Sequence, residues 1–215
     1  MAASNENTTT ERSIVTTGYA KLTAVPDIAT ITIGVQYTDS TVIDTQAEVA
    51  KRMEAVLATL RKAGIPSEAI RTSTFRVSQD YYYKDGQRIF TGYTVNHSLS
   101  VTINDLSLLG VLLDAVVSAG ATNISDIEFH SSKAAELQLQ ALQTAVADAR
   151  QKAKVLAAEA GTDTIRIIRI QDSSPQIRQF KLDSEEIAGG WLGVVTEVSP
   201  GEVTISTSVI VEFAF

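Results

Sequence analysis

The chain has 215 residues, 44% of them hydrophobic, with a formal net charge of −7, a pI near 4.9 and a mean hydropathy of +0.07. That is enough apolar material for one well-filled core or two small ones, while an acidic chain with scattered Lys and Arg is expected to bind neither nucleic acid nor an anionic membrane surface. Cysteine is absent, which removes disulfides, thiolate zinc sites and cysteine nucleophiles, and no apolar run approaches the roughly 20 residues of a membrane span.

Residues 1–13, MAASNENTTTERS, are polar and unpatterned. They are expected to form a flexible tail, of the kind left at the start of a mature chain once a signal is removed. Residues 14–215 follow as one domain, with a division into two subdomains of about 14–104 and 105–215 as the finer reading.

Residues 14–25 and 28–38 read as two strands joined at Pro26-Asp27. In the second, Ala29, Ile31, Ile33, Val35 and Tyr37 share a face opposite Thr30, Thr32 and Gln36, so one side belongs to a core and the other is wet. A helix is predicted over 42–63, with Ala47, Ala50, Met53, Val56, Leu57 and Leu60 as its buried stripe. Strands at 70–83 and 88–104 flank Asp85-Gly86, a strong hairpin signal because both residues tolerate the positive φ of a tight turn. The stretch LSLLGVLLDAVVSAG makes a second helix, and Ile124 to His130 a short strand.

The longest predicted element spans 133–161, where Ala134, Leu137, Ala141, Ala145, Ala149, Ala153, Leu156 and Ala160 recur at three- and four-residue steps. Small side chains let a helix lie close to a sheet, and about 40 Å of it makes a spine for the domain. Gly161 can take the left-handed conformation that stops a helix. Ala63-Gly64 and Ala119-Gly120 repeat that ending, and a strand follows each of the three. After the strand Ile165 to Asp172 comes a connection of roughly thirty residues, longer than loops usually run. The last strand, 202–215, turns Val203, Ile205, Thr207, Val209, Val211, Phe213 and Phe215 one way. The fold class is therefore α+β: a largely antiparallel sheet packed against helices, with one long Ala-rich spine.

Four ordered blocks carry a resemblance: TGYAKLTAVPDIATITIGV, then GYTVNHSLSVTINDLSLLGVLLDAVVSAGATNISDIEFHSS, the spine ending LAAEAG, and SPGEVTISTSVIVEFAF. Together they resemble the SIMPL domain family over about 14–215. The resemblance implies an α+β fold of antiparallel sheet and covering helices, a periplasmic or secreted location, homo-oligomers in some members, and roles in oxidative-stress tolerance or partner binding. It supplies no catalytic residues.

The residues themselves add little chemistry. His97 shares a face with Val95, Leu99, Val101 and Ile103, whereas His130 alternates away from Ile127 and Phe129, so the two are expected on unlike surfaces rather than around one metal. No Ser-His-Asp set, GxSxG or P-loop occurs. Gly189-Gly190 reads as a bend, Glu185 and Glu186 as solvated charges, and Asp27 as a turn residue rather than a cation ligand. No catalytic, cofactor or metal residue is assigned. The candidate interaction surface is Tyr81, Tyr82 and Tyr83 beside the hairpin, with Ile187, Trp191 and Leu192 in the long connection. That connection either joins self-association or folds back over its own sheet as a lid.

Two functional readings follow. The first is a non-enzymatic exported protein acting through homo-oligomeric assembly or an unknown protein partner, in the envelope or in oxidative-stress tolerance. The alternative is a ligand-binding sensor or enzyme with a site of ordinary polar residues, which a polar pocket holding a perturbed carboxylate or histidine would favour.

Overall fold

The computed structural model describes residues 12–173, 176–182 and 200–215. Most of the expected tail, with Glu185, Glu186, Ile187, Gly189-Gly190, Trp191 and Leu192, lies outside them. In chain order the elements are β1 (Ser13–Ala24), β2 (Ile28–Asp39), α1 (Val42–Lys62), β3 (Ile70–Lys84), β4 (Gln87–Ile103), α2 (Leu109–Ser118), β5 (Asn123–His130), α3 (Ala134–Glu159), β6 (Arg166–Asp172), β7 (Gln176–Arg178), β8 (Phe180–Leu182) and β9 (Val203–Ala214). All strand pairings are antiparallel, and the fold is α+β.

Two compact units result, and they interleave in sequence. Among the described residues the first contains 12–24, 133–173, 176–178 and 203–215, and the second 25–132, 179–182 and 200–202. A boundary near residue 104 does not mark this division, because β1 leaves β2 and pairs with β9 along its whole length, from Ser13 opposite Ala214 to Ala24 opposite Val203. The strands on either side of Pro26-Asp27 therefore enter different sheets. The Asp27 carboxylate accepts from the backbone N–H of Ser132 at 2.7 Å and from its hydroxyl, the turn role expected of it.

In the first unit β9 is central, with β1 on one side and β6 and β7 on the other. Val203, Ile205, Val209, Val211 and Phe213 turn to α3, which buries Ala141, Ala145, Ala149 and Ala153 against them; Ala157, one turn on, is buried as well. The predicted stripe holds in the middle of the helix and fails at its end. Leu156 is 50% exposed and Ala160 is exposed, because the covered row advances by four residues at every step and so winds slowly round the helix. Alanine alone permits this distance: a Cβ placed on Gly18 of β1 would fall 1.8 Å from the Ala145 carbonyl oxygen. The outer edge of β1 is capped by the helix. Tyr19 N–H donates to Asp148 Oδ2 at 2.8 Å and Lys152 Nζ to Thr17 O at 3.0 Å, while Lys152 also pairs with Asp148 at 2.6 Å. The lysine first, and the Tyr19 N–H second, hold the Asp148 carboxyl below its ordinary pKa. An edge occupied in this way is closed to a further strand.

The second unit has the strand order β3-β4-β2-β5-β8. Ala29, Ile31, Ile33 and Val35 of β2 are buried with Tyr37 packed beside them, as the alternation predicts. α1 covers β2 and β4, and α2 packs on α1. Thr41 caps α1 by accepting the Asp44 N–H. The stripe of α1 is Thr45, Val49, Met53, Val56 and Leu60, whereas Ala47 and Ala50 are exposed. Thr45 can be buried because its hydroxyl donates to the carbonyl of Thr41 at 2.5 Å, a local bond that hydrophobicity does not register.

Candidate functional site

β3 and β4 form a long ribbon. β2 pairs with β4 only as far as Asp39 opposite Tyr93, while the ribbon continues to Lys84 opposite Gln87. Residues 80–92 thus have no third strand among the described residues, and at about 3.3 Å per residue they project by roughly 15–20 Å. Asp85 and Gly86 close the arm with φ of 51° and 78°, the double positive φ expected of this pair.

A bare hairpin is marginal in water, and aromatic contacts brace this one. Tyr93 stacks edge-on against Phe90 at 5.1 Å, Phe90 against Tyr81 at 5.6 Å, and the Arg88 guanidinium lies 3.6 Å from the Tyr81 ring centre. At the root, the Thr94 hydroxyl links Asp80 of β3 to Thr38 of β2. Tyr81 is consequently half-buried, while Tyr82 and Tyr83 are 48% and 75% exposed. Register sets Tyr81 opposite Phe90, Tyr82 opposite Ile89 and Tyr83 opposite Arg88, so consecutive rings go to opposite faces.

At the other end of the ribbon a groove of about 440 Å³ opens between α1 and the sheet. Val49 and Met53 are its buried floor, Leu57 and Phe75 its walls, and Glu54 and Arg61 its rim, with His97 in the side. Phe75 sits directly opposite His97 and meets it edge to face, with ring centroids 5.4 Å apart at 76°. Burial lowers the pKa of His97, so the imidazole is neutral near pH 7. No hydrogen bond joins it to a hydroxyl or carboxylate among the described residues. His97 stands opposite Val35 and His130 opposite Ile28, about 23 Å apart along β2, and no group of three or more His, Asp or Glu among the described residues could hold a metal.

Sequence reasoning named the tyrosines of this ribbon but missed Phe75, Val77, Phe90 and the groove. The signal was present as the alternation Phe75, Val77 and Gln79 within 70–83. It reads as an ordinary core face until β3 proves to be an edge strand that α1 does not cover.

Over residues 14–213 the sequence matches the family described as "SIMPL: Protein of unknown function (DUF541)". The chain belongs to the SIMPL family. Among its SIMPL relatives, a 26 kDa periplasmic immunogenic protein of Brucella melitensis is 30% identical over 178 residues, 80% of this chain and 71% of that protein. The Uncharacterized protein YggE of Escherichia coli (strain K12) is 28% identical over 181 residues, 81% of this chain and 74% of YggE. A Xenopus laevis protein named Interleukin-1 receptor-associated kinase 1-binding protein 1 homolog is 23% identical over 206 residues, 94% of this chain and 79% of that protein. None of these names states a reaction. A periplasmic or secreted location follows the Brucella relative, and no helix among the described residues is long and apolar enough to cross a membrane.

Proposed function

We propose that this SIMPL protein is a non-enzymatic component of the cell envelope that works by self-assembly or by binding a protein partner, with oxidative-stress tolerance as the physiological setting. The observation that carries the reading is the free arm of residues 80–92, which holds Tyr82 and Tyr83 in water beyond the last strand that could cover them. Tyrosines at such a position contribute large contact area at little entropic cost. The sequence of the long connection, with Ile187, Trp191 and Leu192, supplies a second apolar contact set on the same reading.

Mass in solution tests it. A Tyr82→Ser, Tyr83→Ser double variant and a Trp191→Ala variant are compared with the parent by light scattering across a dilution series. A lowered or concentration-dependent mass with an unchanged melting temperature supports assembly. If both variants keep the parent's mass at every concentration, assembly through these residues is wrong. The alternative, a ligand sensor or enzyme, draws on the lowered pKa of His97, but its groove has an apolar floor and no ion pair to the imidazole among the described residues.

A further inference from the structure

β3 has β4 on one side and, among the described residues, no strand on the other. Two bulges, between Thr72 and Thr74 and between Asp80 and Tyr81, break its pairing and blunt the edge at both ends. Between them Thr74 to Asp80 keep a regular register with Ser98 to Gly92, the longest undistorted row of backbone donors and acceptors on this strand. The groove lies alongside it. Phe75 and Val77 face that side, 54% and 44% exposed. On the opposite face of the strand stand Arg71 and Arg76, both exposed and with no ion pair among the described residues. An acidic chain thus carries an apolar row on one face of its open edge and, on the other, Arg76 with no ion pair among the described residues, while Asp80 further along that face is engaged by the Thr94 hydroxyl.

We propose that the edge Thr74 to Asp80 is a docking site for an extended segment of a different protein, one that alternates apolar and acidic residues. The inference rests on the partner-binding half of the reading above and names the partner's chemistry. The segment adds as a strand to β3, so its backbone supplies affinity without regard to sequence, and its alternation supplies selectivity. Every second side chain lies over Phe75, at the mouth of the groove, and over Val77 beside it, where an apolar residue removes those two side chains from water. The intervening side chains stand beside Thr74, Arg76 and Ser78, and at Arg76 a carboxylate pairs and a lysine is repelled. Tyr82 and Tyr83, which carry the assembly reading, take no part in this contact.

The test uses fluorescein-labelled octapeptides and the full chain in anisotropy titrations. The probe alternates valine and glutamate. One control replaces glutamate by lysine, and another methylates alternate backbone nitrogens so that strand pairing is blocked. The glutamate peptide is expected to bind at least 10-fold tighter than either control, Arg76→Glu to reverse the charge preference, and Phe75→Ser to weaken binding about 10-fold without moving the melting temperature. Equal affinity for all three peptides, or no binding of any, overturns the proposal while leaving assembly through Tyr82 and Tyr83 standing. A Phe75→Ser or Arg76→Glu protein whose light-scattering mass falls below the parent's overturns it differently, since a second copy of this chain then occupies the edge.

Discussion

Replacing Gly18 by alanine tests the packing of the first unit at its tightest point. The added carbon falls 1.8 Å from the Ala145 carbonyl oxygen, 2.8 Å from its carbonyl carbon and 2.9 Å from the Ala149 Cβ, where ordinary contact begins near 3.4 Å. α3 has to retreat by about 1.6 Å, and no rotamer change absorbs the clash because its nearest atom is main chain. Overpacking of this kind costs about 1–3 kcal/mol. The retreat also stretches the bond from Thr16 Oγ1 to Ala149 O, 3.0 Å long and buried, which is worth about 1 kcal/mol. The exposed caps from Asp148 and Lys152 add little, since water screens them. A loss of about 2–4 kcal/mol lowers the melting temperature by about 4–16 °C for a chain of this size. Circular dichroism at the helical band reads it directly, because the strain falls on the longest helix. The double variant Gly18→Ala, Ala149→Gly should recover only a small part, since the carbonyl of Ala145 remains in place. A Gly18→Ala protein that melts within about 2 °C of the parent would refute the close-packing argument.

The other predictions concern single side chains. Ala149→Leu forces a branched side chain into the same interface and should cost about 1–3 kcal/mol by urea denaturation, whereas Gln143→Ala, on the exposed side of α3, should be silent. Gly86→Val meets no atom within 4 Å, so its whole cost is the positive φ of 78°; the urea midpoint should fall, by about 1–2 kcal/mol in stability. Thr207 buries a hydroxyl that finds no partner among the described residues, and Thr207→Val should raise stability by about 1 kcal/mol; a lower melting temperature would show that the oxygen is satisfied. His97 binds its proton less readily folded than unfolded, so its contribution is complete above the ordinary value of 6.5 and is lost as pH falls through 6.5 toward the depressed folded value. His97→Phe should flatten that part of the stability profile, and an unaltered slope would assign it to other groups.

Local pattern made most elements legible, and its limits follow from what it cannot register. The alternation of Ala29 to Tyr37 and the run from Ala141 to Ala153 each name a buried face, because a strand or helix turns its side chains by a fixed angle whatever lies nearby. Sheet membership is another matter: β1 and β2 are separated by three residues yet belong to different sheets, since pairing is decided against strands that arrive much later in the chain. Leu156 misleads for a similar reason. It continues the helical period, but the sheet beneath has a direction of its own, and the covered row leaves the period to follow it. The candidate site was half legible. Tyr81 to Tyr83 announce themselves as a run, while Phe75 becomes informative only when β3 is seen to lack an outer neighbour among the described residues.

The position of β9 also determines the order in which the protein can become stable. β9 is the middle strand of its sheet and the last of the described elements in chain order, made after β1, α3, β6 and β7. Until residues 203–214 arrive, β1 has no strand to pair with among the described residues, and the alanine row of α3 has β1 alone, not the completed sheet, to pack on. The first unit is therefore held open for nearly the whole of synthesis, and its closure joins segments about as far apart in sequence as this chain permits, which makes it the slow event in folding. A chain that has to stay unfolded to cross a membrane would gain from such a delay, because the unit that contains α3 cannot lock until residues 203–214 have been made.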